Sequence, residues 1–247
     1  MEIQTDTHTH TISSGHAYST LQENIQAARY ARIRLLAMTD HASSMPGAPH
    51  IWHFGNLKVV PRIIDGVGVL RGVEANICNS CGEIDVPEPI LSQLDLVIGS
   101  LHEPVFPPSD ASTHTEAMVS AIRRGQIDVI GHAGNPNFPI DIDAIVKAAA
   151  ENHVLVELNN SSFISSRRGS EPNCLAIAEA ARDYGAYITL GSDAHIAFSI
   201  GRFNECLNVV KKVDFPVERL VSTHAAKLLD FLSDRGKSNL DVYQSLR

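Results

Sequence analysis

Nine histidine, aspartate and glutamate side chains recur in short motifs along this chain, at spacings suited to metal binding. Two motifs place potential ligands two residues apart, His8-Thr9-His10 and Asp193-Ala194-His195. Residues two apart in an extended chain point to the same side, so each pair can reach one ion. Imidazole and carboxylate groups are common ligands of zinc and related divalent ions. The full candidate set is His8, His10, His16, His41, Glu74, His102, His132, Asp193 and His195.

Short apolar strands alternating with helical stretches must position these groups. Seven β-branched runs are predicted to be strands, and six of them end in His, Asp or Glu. The helical stretches carry start and stop signals, such as Thr20 followed three residues later by Glu23, and Gly185 after the stretch 170–184. Strands are predicted at 2–7, 33–39, 66–73, 94–99, 127–131, 154–158 and 186–191, and helices at 21–31, 110–124, 141–152, 170–184, 203–212 and 225–232.

This alternation predicts a parallel α/β sheet. No glycine-rich dinucleotide motif or phosphate-binding loop follows the first strand, so an open nucleotide-binding sheet is not supported. Seven strands in about 200 residues predict instead a closed TIM-like barrel, somewhat short of the usual eight strand–helix units. The carboxyl ends of barrel strands converge, which would bring the nine candidate ligands together. Nine ligands are too many for one ion and suit two or three ions that share a carboxylate.

The composition is that of an ordinary globular protein, with 44% hydrophobic and 19% charged residues in a chain of 247. We find no linker or compositional break and expect one domain over residues 1–247. The formal net charge of −8 argues against nucleic acid as the main partner, and the basic pair Arg123-Arg124 is typical of solvated surface. The remaining helical histidines, His114, His153 and His224, are expected on the surface.

The chain shows neither a targeting segment nor a membrane span. It starts with polar and acidic residues, and no apolar run approaches the roughly 20 residues of a transmembrane helix. Its four cysteines do not form a disulfide framework, and the lone Cys78-Asn79-Ser80-Cys81 motif has no second pair. These features predict a cytoplasmic protein that has no membrane partner.

The ordered motifs resemble those of the polymerase and histidinol phosphatase (PHP) superfamily. The match covers nearly the whole chain, without a departure at any ligand position. Local stretches at 16–20, 102–106 and 159–163 look like those of the stand-alone YcdX-like phosphatases of that superfamily. The superfamily signature stands here as His8-Thr9-His10, Thr39-Asp40-His41, Glu74, His102, His132 and Asp193-Ala194-His195.

The resemblance implies a distorted (β/α)7 barrel that holds three divalent ions, usually zinc, with manganese or iron in some members. It also implies a phosphoric monoester hydrolase acting on a small phosphorylated substrate, in a family whose members of this type often form trimers. The implied ligands are His8, His10, Glu74 and Asp193 for the first ion, His16, His41 and His195 for the second, and His102 and His132 with a bridging Glu74 for the third.

A cluster of three divalent ions would attract phosphate even in an acidic protein. Such ions lower the pKa of bound water from 15.7 toward about 7, which would supply hydroxide to attack phosphorus. Asp40, next to His41, is a candidate for orienting a ligand or transferring a proton. Arg167 and Arg168, in the loop 161–170 after the sixth strand, are candidates for binding phosphoryl oxygens.

Three alternatives stay open at this point. A phosphodiesterase or nuclease role occurs in PHP domains attached to DNA polymerases, although this chain has no polymerase segment and no basic groove. An amidohydrolase-type barrel cleaves C–N bonds and also begins with HxH. Such barrels commonly bridge two metals with a modified lysine at the end of strand four, where this chain has His102. A purely structural metal site would be closed and four-coordinate, which nine ligands are not.

Overall fold

The computed structural model describes residues 1–164 and 166–247, and Ser165, part of the predicted 161–170 loop, lies outside the described residues. Strands and helices alternate along the chain. The strands are β1 (Thr5–Asp6), β2 (Leu35–Met38), β3 (Ile63–Ile64), β4 (Val67–Asn76), β5 (Leu96–Ser100), β6 (Val129–Ile130), β7 (Leu155–Asn159) and β8 (Ile188–Gly191). The helices are α1 (Leu21–Tyr30), α2 (Trp52–Gly55), α3 (Glu88–Leu91), α4 (Ala111–Arg123), α5 (Ile142–Glu151), α6 (Ser161–Ile164), α7 (Glu171–Tyr184), α8 (Asn204–Lys212) and α9 (Ala225–Asp234).

The parallel strands follow one another around a barrel in the order β1-β2-β4-β5-β6-β7-β8, and β3 pairs antiparallel with β4. The first and last strands meet, because Thr7 N donates to Leu190 O at 3.4 Å and Thr9 pairs with Ala194. The sheet is therefore a nearly closed barrel, and the predicted class, a parallel α/β TIM-like barrel with seven units, is confirmed.

Local signals explain where the helices begin and end. Thr20 and Glu23 form the predicted capping box at the start of α1. The Asp110 carboxylate caps α4 by accepting a hydrogen bond from Thr113 N at 2.8 Å. Gly185, with φ of 80°, ends α7 in the left-handed conformation that glycine adopts readily. Because these signals are local, the bounds of the six predicted helices lie within two residues of those observed.

The barrel interior is apolar, and one end is closed. Leu35, Leu70, Leu96 and Leu155 meet inside the barrel in one buried cluster, together with apolar side chains of α9 and of the C-terminal segment Leu240–Leu246. That packing closes the end where the strands begin. The nine candidate ligands lie toward the other end, where the strands finish.

Several features differ from the sequence prediction. The three short helices α2, α3 and α6 were not predicted. The short strand β3 was not predicted, and β4 continues three residues past the predicted end at 73, so that Glu74 and Asn76 lie within it. His114 was predicted on the surface but is fully buried, with Nε2 accepting from Ser109 N at 2.7 Å and Nδ1 2.9 Å from Pro139 O. Within the described ranges, the helices are too short or too polar to cross a bilayer.

Candidate metal centre

A cavity of about 400 Å³ opens where the parallel strands end. Seven of the nine candidate ligands line it, and the remaining two, His8 and His10, lie fully buried beneath its floor. The structure therefore brings the whole predicted set to one place. The lining ligands are His16, His41, Glu74, His102, His132, Asp193 and His195.

Glu74 occupies the centre of the cluster, and its two carboxylate oxygens face different histidines. Oε1 lies 3.1 Å from His102 Nε2 and 2.9 Å from His132 Nε2. Oε2 lies 2.7 Å from His41 Nδ1, and 3.3 and 3.6 Å from the Nε2 atoms of His8 and His10. A carboxylate in this position can bridge two ions.

The aspartate near the end of β8 faces the pair of histidines that follows β1. Asp193 Oδ1 lies 3.2 Å from His10 Nε2 and 3.7 Å from His8 Nε2. Ligand atoms around one tetrahedral zinc ion are separated by about 3.3 Å, given bond lengths near 2.0–2.1 Å. The side chains of His8, His10 and Asp193 are thus close enough to share an ion.

A third group lies nearer the solvent. His195 Nε2 lies 3.0 Å from His16 Nε2, and the His16 and His41 rings are stacked with centroids 5.0 Å apart. His16 is exposed and His195 is partly buried. Ligand atoms of His10, His41 and His195 are also close enough to share an ion. His10 therefore faces both this outer group and the buried group that it forms with His8 and Asp193.

Two candidate ligands adopt a left-handed backbone, with φ of 26° at His132 and 53° at Asp193. Such conformations cost of order 1–3 kcal/mol in non-glycine residues and cluster at functional sites. Both residues follow a strand end, where a sharp turn of the chain directs the side chain into the barrel mouth. The fold therefore retains local strain at two positions of the cluster.

Polar residues behind the cluster orient three imidazole rings by accepting hydrogen bonds from the Nδ1 atoms of those rings. His8 Nδ1 donates to Glu157 Oε1 at 2.7 Å, and His102 Nδ1 donates to Asn76 Oδ1 at 2.8 Å. His10 Nδ1 donates to Ser14 Oγ at 3.0 Å. A proton on Nδ1 leaves the Nε2 lone pair free and directed at the centre, as metal-binding histidines require.

Glu157, Asn76 and Ser14 were not among the site residues predicted from the sequence. A signal existed for Glu157, because an ionisable residue stands in the middle of an otherwise apolar run, 154–158. A buried carboxylate is stable only when it is paired, which indicates a partner nearby. Besides its contact with His8, Glu157 accepts a hydrogen bond from His132 N at 2.7 Å.

Asp40 lies behind His10 and does not line the cavity. Its Oδ1 accepts hydrogen bonds from Ser14 Oγ and Thr11 N, both at 2.7 Å, and its Oδ2 lies 3.4 Å from His53 Nε2. The chain His10–Ser14–Asp40 can orient the imidazole. The position of Asp40 suits the first of its two predicted roles, orienting a ligand. It does not suit proton transfer, because the carboxylate lies away from the cavity surface.

Of the two arginines predicted to bind substrate, the structure brings one to the site. Arg167 lines the cavity, forms an ion pair with Asp193 Oδ2 and donates to Ser162 Oγ at 3.0 Å. Arg168 is exposed and does not line the cavity. A guanidinium held beside the cluster can contact an oxygen of a bound anion.

The buried charges suit divalent ions. Burial opposes ionisation of Glu74, but the surrounding histidines, led by His102 and His8, hold the pKa of its carboxyl well below the usual range. The pKa of Asp193 is likewise lowered, against burial, by His8 and Arg167. Burial lowers the pKa of His10 to about 3. Ionised carboxylates and neutral imidazoles are the forms that bind metals.

The cluster also contains buried polar atoms that make no hydrogen bond within the described structure. These atoms are His8 Nε2, His10 Nε2, both ring nitrogens of His41, and Glu74 Oε2. Unpaired buried polar atoms are rare and costly, and here they face one another across a few ångströms. Cations placed between them would satisfy the His8 and His10 nitrogens, one nitrogen of His41 and the Glu74 oxygen, so the residues fit a metal centre.

Fold and site together define a class of protein: an α/β barrel with a cluster of metal-binding side chains at the carboxyl ends of its strands. The fold is shared with solved structures. A histidinol phosphate phosphatase from Lactococcus lactis, solved with zinc, L-histidinol and phosphate, matches with a TM-score of 0.60 and 15% identity, over 87% of this chain and 95% of that one. This likeness shows that the two chains share the barrel fold.

Sequence relatives identify the family. A protein of Aeromonas hydrophila named "Probable phosphatase" is 55% identical over 246 residues, covering 100% of this chain and 100% of the relative. A "Probable phosphatase" of Shewanella pealeana is 54% identical over 246 residues, covering 100% of this chain and 99% of the relative. The chain belongs to this family of probable phosphatases, which are phosphoric monoester hydrolases. A search of family models found no match.

Proposed function

We propose that this protein is a YcdX-like, metal-dependent phosphomonoesterase with a centre of three divalent ions. The observation that carries the proposal is the position of Glu74, whose two oxygens face five histidines from opposite sides. The relatives named as phosphatases support the reaction class, and the histidinol phosphatase neighbour with zinc supports the metal requirement.

The proposed ligands follow the three groups described above. Zinc is the first choice of metal because imidazole predominates, and manganese or iron is the alternative. Glu74 would serve two ions at once. The proposed assignment is His8, His10, Glu74 and Asp193 for one ion, His16, His41 and His195 for another, and His102, His132 and Glu74 for the third.

When bound, such ions lower the pKa of coordinated water and stabilise negative charge on phosphoryl oxygens. The protein's own side chains then do the positioning. Glu157, Asn76 and Ser14 keep three imidazoles in the tautomer and orientation that the centre needs. Arg167, fixed by Asp193 and Ser162, would orient the phosphoryl group by a hydrogen bond to a non-bridging oxygen.

The substrate is proposed to be a small phosphate monoester. The cavity volume of about 400 Å³ is near the lower end of the range for small-molecule sites. Beyond the ligands, the walls combine polar residues such as Asn135 and Asn160 with the apolar side chains of Met45 and Ile164. A cytoplasmic location and a trimeric assembly remain predictions.

The test is to purify the protein without chelator, measure bound metal by plasma emission and assay p-nitrophenyl phosphate with the same sample. We expect two to three metals per chain and an activity that chelator abolishes. His10→Ala should lose both metal and activity, while His50→Ala, which alters an exposed histidine outside the cluster, should keep both.

The outcomes separate the alternatives. Fewer than one metal per chain, not restored by added zinc or manganese, would contradict the metal centre. Bound metal with activity only toward bis-p-nitrophenyl phosphate would favour a phosphodiesterase. Bound metal with neither activity would redirect the search to C–N bonds, as in amidohydrolase-type barrels.

A further inference from the structure

A second large cavity, of about 710 Å³, lies at the opposite end of the barrel from the candidate metal centre. Its walls include Asp95 and Asp128, which stand just before β5 and β6, and the segment 235–239 that follows α9. The cavity is rich in charge. Six cationic and three anionic side chains line it: Lys58, Arg62, Arg71, Arg124, Arg235, Lys237, Glu88, Asp95 and Asp128.

Three of the six cations form ion pairs with two of the carboxylates. Arg62 forms an ion pair with Asp95. Arg235 Nε and Lys237 Nζ lie 2.9 and 2.8 Å from the two oxygens of Asp128. These side chains are mostly buried, and the two pairs with Asp128 fasten the C-terminal segment to the barrel. They account for two of the three carboxylates.

The other three cations, Lys58, Arg71 and Arg124, have no carboxylate within ion-pair distance in the part of the chain that the structure describes. The third carboxylate, Glu88, accepts a hydrogen bond from Gln126 Nε2 at 3.2 Å. Six positive charges against three negative ones leave a local excess of three, in a protein whose formal net charge is −8.

Arg71 is a positively charged side chain of the cavity wall whose charge no carboxylate pairs with in the described structure. Its Nη2 donates to the backbone oxygens of Lys58 and Val60, at 2.9 and 2.7 Å, while its Nε is buried without a hydrogen-bond partner among the described residues. Burial and the neighbouring Arg62 guanidinium lower the pKa of Arg71. An anion in the cavity would reduce the repulsion between the Arg71 and Arg62 guanidinium groups.

We infer that this cavity binds a small organic diphosphate, at a site separate from the candidate metal centre. The volume lies within the range of small-molecule sites. Two guanidinium groups and an ammonium group match an anion of about three negative charges, which a nucleoside diphosphate carries at neutral pH. Ser92, Gln93 and Asn239 also line the cavity and offer hydrogen bonds to the rest of such a ligand.

Calorimetric titration with adenosine α,β-methylene diphosphate tests the inference, because the P–C–P bridge of this probe cannot be hydrolysed. The wild-type protein is compared with the double variant Lys58→Ala/Arg124→Ala and with Arg123→Ala. Arg123 and Arg124 are adjacent and both exposed, but only Arg124 lines the cavity, so Arg123→Ala removes one positive charge from the same surface without altering the cavity wall. Any binding at the metal centre is common to all three proteins.

We expect binding that weakens at least tenfold in the double variant, stays within about twofold in Arg123→Ala and declines as salt is raised. Turnover of p-nitrophenyl phosphate in the absence of the probe should be equal in the three proteins, which shows that all are folded. Equal affinity in all three, or an equal loss in Arg123→Ala and the double variant, would overturn the inference.

Discussion

Glu157 Oε1 lies 2.7 Å from Nδ1 of His8, and both side chains are fully buried although 149 residues separate them in the chain. Burial opposes ionisation of Glu157, but His8 lowers the pKa of its carboxyl, so it is a carboxylate that accepts the Nδ1 proton. A carboxylate behind a metal-binding histidine fixes the ring and raises its basicity.

Replacing this carboxylate by an amide should weaken metal binding. In Glu157→Gln the single amide oxygen can serve His8 Nδ1 or His132 N, but not both, and the charge that favours ligation is lost. We expect a loss of roughly 10- to 100-fold in metal affinity, measured by competition with a chromophoric chelator. Glu151→Gln, at an exposed end of α5, is the control. Unchanged affinity in Glu157→Gln would show that the contact has no orienting role.

Ser14 connects His10 to Asp40 by hydrogen bonds. Replacing Ser14 should therefore lower the activity more than replacing Ser13. Ser14→Ala removes the acceptor of the His10 Nδ1 proton and a donor to Asp40 Oδ1. We expect kcat/KM for p-nitrophenyl phosphate to fall roughly 10- to 100-fold, with the protein still folded by circular dichroism. Ser13→Ala, in the same turn, should match the wild type. Equal activity in both variants would contradict an orienting role for the hydrogen-bonded chain His10–Ser14–Asp40.

Removing metal should lower the thermal stability of the protein. The cluster buries several unpaired nitrogen and oxygen atoms that only a cation satisfies, so metals bind the folded state in preference to the unfolded chain. A ligand at 1,000 times its dissociation constant adds about 4 kcal/mol to the free energy of unfolding. Calorimetry before and after chelation should show the decrease, and restored zinc should reverse it. A melting temperature indifferent to chelator would contradict the prediction.

Asp6 gives a prediction about pH. Burial raises the pKa of its carboxyl from 3.8 to about 6, although it accepts hydrogen bonds from Ser192 N and Gly201 N. The folded state therefore holds this proton more tightly than the unfolded chain. Its contribution to stability is fully present below pH 3.8 and is lost as the pH rises through about 6.

The experiment for Asp6 is urea denaturation of the metal-free protein at several pH values between 4 and 7. The difference in the free energy of unfolding between wild type and Asp6→Asn should change across this window by up to about 3 kcal/mol, at 1.36 kcal/mol per unit of pKa. The wild type should lose stability relative to the variant as the pH rises. A difference that is constant with pH would show that the Asp6 pKa is not raised.

The strand–helix alternation and the polar residues at strand ends were enough to predict the barrel and the convergence of nine side chains. Both follow from local rules: apolar runs form strands, helices return the chain, and parallel strands finish at the same end. His8 and His10 illustrate this, since a spacing of two on one strand already places both side chains on one side. The antiparallel strand β3 escaped prediction because Ile63 and Ile64 stand alone between Arg62 and Asp65, without the longer apolar run that marks the other strands.

Tertiary structure alone decided which residues hold the candidate ligands in place and which arginine lies beside them. The partner of Glu157 is 149 residues distant, so no local pattern could name it. Arg167 and Arg168 are adjacent and chemically identical, and only the direction of the loop brings one to Asp193. A Cβ added at Gly191 would lie 2.1 Å from Glu157 Oε1, a constraint set by closure of the barrel. Local sequence determines each strand and its final residues, whereas barrel closure determines which distant side chains come into contact.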